Sequence, residues 1–295
     1  MTAPTKGAVA SGKPATKGST LFSRALRTKS TVIGVILTAL IVAIAVIGPF
    51  VSPHTPTEFV GAPFSPRGPG MLFGTDAIGR DVWSRFLHGG FLLLFLSLLA
   101  TLIGVGVGAA VGVIAAYRHG FVDEVLMRAG DTLLAFPQIV LALLFLSIVG
   151  PKAWLLVVMV AFGHLPRVAR VIRGAAVPVV ERDFVRSAEA VGVPRWRILL
   201  TEVVPNVTGT LAVELGLRLT YSIGLIAGLS FLGMGMQPPT ADWGLMINEN
   251  RIALTVQPWP VVLPVVAIAI LTVGTNLVTE GLARASAGAG VGVEE

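Results

Sequence analysis

The chain has 295 residues, 54% of them hydrophobic and only 13% charged, with a mean hydropathy of +0.83. Soluble domains carry about 25% charged residues, so an ordinary water-facing surface is excluded and lipid is the expected solvent of a single membrane domain. Cysteine is absent, which removes disulfides, thiolate metal sites and cysteine nucleophiles, and a net charge of +6 remains to be placed.

Residues 1–29 are small and polar and carry six Lys or Arg. They hold too little apolar material to bury a core, so a disordered tail is expected. Within it Gly7, Gly12 and Lys13 approach a phosphate-binding loop. That loop needs a preceding strand and a Ser or Thr after the Lys, whereas Pro14 stands there. No ATP site is expected on this chain. The apolar run Ser30–Val51 matches the roughly 20 residues of a membrane-spanning helix and exceeds the apolar region of a cleaved signal, so it reads as a retained anchor.

Phe91–Ala116, Thr132–Val149 and Pro260–Val278 are further long uncharged apolar runs. Ala153–Pro166 is shorter, its helix continuing toward water through Arg170 and Arg173, and Val207–Gly233 contains Glu214 and Arg218. The reading is all-α and polytopic, with six transmembrane helices and both termini on one side. Loops on that side hold the tail's six Lys or Arg, Arg118, Arg128, Arg167, Arg170, Arg173, Arg182, Arg186, Arg195, Arg197 and Arg284. The opposite loops hold Arg67, Arg80, Arg85, Lys152 and Arg251. Cytoplasmic loops collect the positive excess, which puts both termini in the cytoplasm. The charge is thereby explained without nucleic acid. Residues 286–295 read as a flexible tail.

Inside the spans, Glu214 and Arg218 are one helical turn apart on the same face. They form either a mutually neutralised packing pair or a polar lining of a translocation path. Gly104, Gly108 and Gly112 recur every four residues, a ridge along which another helix can approach closely. His54, His88, His119 and His164 are widely separated and form no metal-ligand pattern; each reads as a solitary polar residue.

On the cytoplasmic side, residues 174–204 are basic and amphipathic. Phe184, Ala188 and Val191 share a helical face, Gly192 supplies a stop, and Pro194 opens a second short helix with Trp196 and Ile198. Two short helices with apolar faces and no core of their own suggest a docking surface for a cytoplasmic protein; helices lying flat on the lipid are the alternative. The segment resembles the coupling loop of ABC importer permeases, whose pattern is Glu-Ala-Ala, three residues, Gly, nine residues, Ile, one residue, Leu-Pro. Aligned on Gly192, Pro205 matches, Arg186, Ser187 and Ala188 stand at Glu-Ala-Ala, and Glu202 and Val204 at Ile and Leu. Arg186 reverses a charge, so the contact of the family's acidic residue does not carry over; Glu189 is a candidate substitute.

The run Phe73 to Arg85, with Gly74, Thr75, Asp76, Gly79, Arg80 and Asp81, is similar to a signature of the second permease subunit of dipeptide, oligopeptide and nickel importers. Thr75 and Asp76 are capping types, and Val82, Trp83 and Phe86 are expected along the outer membrane interface. Ser230 to Gly244 and Asn276 to Gly281 give further matches, so the resemblance spans roughly residues 31–285. It implies a type I ABC importer transmembrane domain in a bacterial cytoplasmic membrane. Its implied partners are a homologous permease subunit forming a heterodimer, one or two cytoplasmic ATPase subunits carrying ATP and Mg, and an extracytoplasmic solute-binding protein. It also implies alternating access, with no catalytic, cofactor or metal site on this chain. Nickel or a metal chelate is an alternative cargo. A gradient-driven secondary transporter is the alternative class, favoured by inverted repeats or paired broken helices, neither of which is legible here.

Overall fold

The computed structural model describes residues 25–26 and 28–290, and the regular elements among them are all helical. Most of the N-terminal tail, including the phosphate-loop resemblance, lies outside the described residues, as do residues 291–295. The chain runs through α1 (Lys29–Val51), α2 (Val82–Arg118), α3 (Gly120–Leu134), α4 (Gln138–Val149) and α5 (Ala153–Val180). It continues through α6 (Asp183–Ala190), α7 (Arg195–Ile198), a π-turn (Leu199–Val203) and α8 (Val204–Asn206). The last elements are α9 (Thr208–Phe231), α10 (Trp243–Asn250), a 3₁₀ turn (Arg251–Ala253) and α11 (Trp259–Gly290).

Five helices, α1, α2, α5, α9 and α11, are long and apolar enough to cross a membrane; α3 and α4, bent by 78° at the break between them, pass the same test only as a pair, as one broken span or a re-entrant loop. The third span is therefore not the straight helix expected over Thr132–Val149. Pro137 has no N–H to donate and pushes the residue before it out of helical geometry, and the break falls there. Three other boundaries also move. α2 begins at Val82 rather than Phe91, α5 passes through Pro166 and Gly174 to Val180, and α11 passes residue 285 to reach Gly290. The first seven residues of the segment read as the coupling loop, 174–180, thus belong to α5.

Apolar side chains gain little from leaving lipid for one another, so close packing and hydrogen bonds must hold the helices together. The glycine ridge of α2 serves this. A Cβ at Gly104, Gly108 or Gly112 would stand 2.8, 2.8 and 2.5 Å from the α5 carbonyl oxygens of Ala161, Leu165 and Ala169. One apolar core gathers Leu93, Leu146, Leu156, Ile226, Trp243 and Leu271. A second, formed by Val113, Val168, Ile172, Val203 and Val207, lies beneath the π-turn and α8.

The bundle has two unlike ends. At one, Arg284 of α11 donates to the Ser30 hydroxyl (2.8 Å) at the start of α1, and Tyr117 at the end of α2 meets α6. At the other, the Trp243 indole of α10 donates to the Phe86 carbonyl near the start of α2 (2.9 Å). We call these the basic end and the cap end.

Candidate functional site

At the basic end, α6 follows α5 after only Glu181 and Arg182. It stops in a Schellman motif. Gly192, at φ +79°, donates to the Glu189 carbonyl (3.0 Å) and Val193 to that of Ala188 (3.1 Å), the left-handed step for which glycine carries no Cβ penalty. Pro194 then precedes α7, as its fixed φ favours. The reversal leaves apolar side chains facing outward: Phe184 is 38% exposed, Val191 80%, Trp196 65% and Leu200 60%. Arg186, Ser187 and Pro205 are exposed and Ala188 half-buried. Glu189 accepts a hydrogen bond from the Tyr117 hydroxyl; it binds this chain's own α2. Ile198, on the same short helix as Trp196, is fully buried, because a single helical turn sends the two side chains to opposite sides. Beside Trp196, an apolar crevice of about 420 Å³ opens between Leu199, Leu200, Val204 and the α2 residues Gly106 and Ala110.

At the cap end, the signature residues build a closed ionic cluster. Asp76 Oδ1 accepts from the Ile78 and Arg80 N–H groups (3.0 and 2.9 Å), and Oδ2 from Arg80 Nε and Arg85 Nη1 (both 2.7 Å). Glu249 of α10 accepts from Arg80 Nη2 (2.9 Å) and Arg85 Nη1 (2.6 Å). Burial alone would raise Asp76. The Arg80 N–H and the Arg85 and Arg80 charges outweigh it and hold the carboxyl below its ordinary range. Asn250 accepts from the Ala77 N–H (2.9 Å). Thr75 does not cap a helix: its hydroxyl donates to the Ala62 carbonyl (2.6 Å) and accepts from the Ser65 N–H (2.8 Å). Asp81 is the cap of α2, accepting from the Ser84 N–H (2.8 Å). Gly74 and Gly79 turn the loop at φ +74° and +90°. Val82 and Phe86 are buried within the bundle rather than ranged along an interface. The roles of Arg85, Glu249 and Asn250 escape a reading along the chain, since the partners lie 164 to 173 residues apart.

A third polar group lies mid-bundle. Arg218 Nε donates to Glu214 Oε2 (2.8 Å), both side chains nearly buried, and its guanidinium lies 5.7 Å from the ring centre of the exposed Tyr221. His164 is not solitary: Nε2 lies 2.8 Å from the Ser222 hydroxyl, which lies 2.9 Å from that of Thr101. These bonds tie α2, α5 and α9 together. The structure thus separates the three candidate groups along the bundle.

Residues 108–287 match the family model described as binding-protein-dependent transport system inner membrane component. A Brucella suis protein named for a peptide transport system permease is 35% identical over 260 residues, 88% of each chain. The glutathione transport system permease protein GsiD of Pectobacterium atrosepticum is 33% identical over 263 residues, covering 88% of this chain and 87% of its own. GsiD of Escherichia coli is 32% identical over 245 residues, 82% and 81% of the two chains.

Proposed function

The chain belongs to the family of binding-protein-dependent transport system inner membrane components, and from that premise we propose that it forms half of the peptide pathway of an ATP-driven importer. In this reading a homologous permease supplies the other half, cytoplasmic ATPase subunits hold ATP and Mg, and an extracytoplasmic solute-binding protein delivers cargo. The basic end, with both termini, is cytoplasmic. All bond chemistry belongs to the ATPases.

One observation carries the proposal: the outward apolar surface of Phe184, Val191, Trp196 and Leu200 on a glycine-stopped helical reversal. Exposed apolar groups on a rigid reversal cost solvation unless a partner covers them. A large aromatic side chain such as Trp196 is the kind of residue that dominates an interface. ATP bound to a separate chain shifts this one only if the ATPase's two states grip that surface unequally. The relatives named for peptide and glutathione transport favour small peptides as cargo.

Co-purification of Trp196→Asp with the ATPase subunits tests the docking: the variant should insert and fold but lose its ATPases. Unchanged recovery of the ATPases overturns the assignment. Labelled peptides and nickel chelates offered to the complex in vesicles, with and without ATP, separate the peptide importer from the nickel and gradient-driven alternatives.

A further inference from the structure

The broken span is held in an unusual way. The 12 residues of α4 rise about 18 Å, well short of the ~30 Å hydrocarbon layer. α4 buries only Ala142 and Leu146, and α3 buries nothing. Among the described residues, all side-chain hydrogen bonds that leave α3 and α4 end on α5. Asp123 pairs with Arg173 and Asp131 with Arg170. At the bend, the Gln138 amide donates to the Val160 carbonyl (3.2 Å) and accepts from Arg167 Nη1 (3.0 Å), which also reaches the Gly163 carbonyl (3.2 Å). The Gln138 side chain fills the notch at Gly163, where a Cβ would collide with it.

The anchors follow helical spacing. Val160, Gly163, Arg167, Arg170 and Arg173 step three or four residues along α5 and so form one stripe. Between anchors the contact is uneven: Gly130 sits close against Pro166, while a crevice of about 120 Å³ opens beside it among Leu126, Met127, Leu133 and Leu165. α3 and α4 are thus a strap fastened at points, where other helices interlock along their length. The fastened helix is also the one that runs without a break to Val180 and hands the chain to α6.

We infer that Arg167, Arg170 and Arg173 are positioning residues that make the broken span follow the coupling segment during transport, the strap being a moving wall of the pathway. This deepens the function proposed above and rests on it. Displacement of α6 by an ATPase shifts α5 along or about its axis. Among the described residues the strap's side chains make no polar tie to any other helix, and it moves with α5 even though α3 joins α2 through His119 and α4 packs Ala142 and Leu146 into the core.

The absence of cysteine allows nitroxides at Ile148→Cys on α4 and Ile36→Cys on α1, both exposed, in the complex with its partners. Trapping ATP should change their separation in the otherwise unaltered chain. Asp131→Arg, which sets like charges together, and the milder Gln138→Ala, which empties the notch, should each abolish that change. Peptide taken up per ATP should fall about tenfold, within the span of ordinary inter-site couplings, while the ATPases stay bound. The swap Asp131→Arg with Arg170→Asp should restore both readouts, which ties the loss to this ion pair, while unchanged thermal stability of the single variants separates a positioning role from a merely structural one. A nitroxide shift that persists in Gln138→Ala, or a swap no better than the single variant, overturns the strap. An unaltered chain that fails to retain its ATPases overturns the transport reading instead.

Discussion

At the cap end, Asp76, Arg80, Arg85 and Glu249 are drawn together inside the protein; at the basic end, Phe184, Val191 and Trp196 are held out into the surroundings. Both regions are short segments between long helices, and both depend on glycines at positive φ. They differ in what satisfies them. In the cap, Asp76 and Glu249 are each answered by a guanidinium of the same chain, while Arg85 Nε and Nη2 and one oxygen each of Asp81 and Asp242 stay buried without a partner. The reversal at Gly192 is complete in its backbone bonds and incomplete in its side chains. The cap places its charges inside the chain against one another; the reversal places apolar groups on its outside, where only another molecule can cover them.

Mutations can break that contrast. The largest effect is expected from Arg85→Leu. Removing one partner of a buried charge network costs about 3–5 kcal/mol, because Asp76 and Glu249 would keep buried charge without its main answer. Thermal unfolding of the purified chain should detect it, and loss of solute-binding protein contact without loss of stability would contradict it. Acidity sharpens the contrast next. Asp242, which caps α10, is fully buried with Oδ2 unpartnered, and burial pushes its carboxyl up to about 6 from 3.8. Its folded form therefore favours the proton. The associated stability is complete below about pH 4 and is lost as pH rises through about 6, amounting to at most about 3 kcal/mol at 1.36 per pH unit. Asp76 has the opposite sign: its contribution is present above the ordinary carboxylate range and lost as pH falls beneath it. Melting temperature against pH for Asp242→Asn should be flatter between pH 4 and 6 than for the native chain.

Substitution at the basic end should read differently. Trp196→Asp should weaken ATPase association by about 2 kcal/mol, or some thirtyfold, yet shift stability by no more than about 0.5 kcal/mol, as for other exposed positions. Gly192→Ala should cost roughly 1–2 kcal/mol of local order, since a Cβ is poorly accommodated at φ +79°. Faster hydrogen exchange in α6 and α7 would register it.

The same contrast explains what could be read in advance. α1, α2 and α11 announce themselves as uncharged apolar runs, because lipid imposes a local rule on each residue it touches. Gly192 and Pro194 are equally local signals. The start of α2 was hidden because Arg80, Asp81 and Arg85 look like a water-facing loop until Glu249 is brought to them from far along the chain. Arg167, Arg170 and Arg173 likewise pass for the wet end of a helix, and only the fold places Asp123, Asp131 and Gln138 against them. The burial of Ile198 is illegible for a smaller reason: a single helical turn has no period from which to tell its inside from its outside.

The unbroken length of α2 has a mechanical meaning. Its 37 residues measure about 55 Å, against roughly 30 Å of hydrocarbon, so it reaches well past the lipid core. Asp81 sits at one tip and Tyr117, bonded to Glu189, near the other. A stiff rod pivoted at its middle swings both tips at once. A lean of about five degrees would displace each by roughly 2 Å for a rod of that length, enough to remake hydrogen bonds at the far side of the membrane without bending anything between.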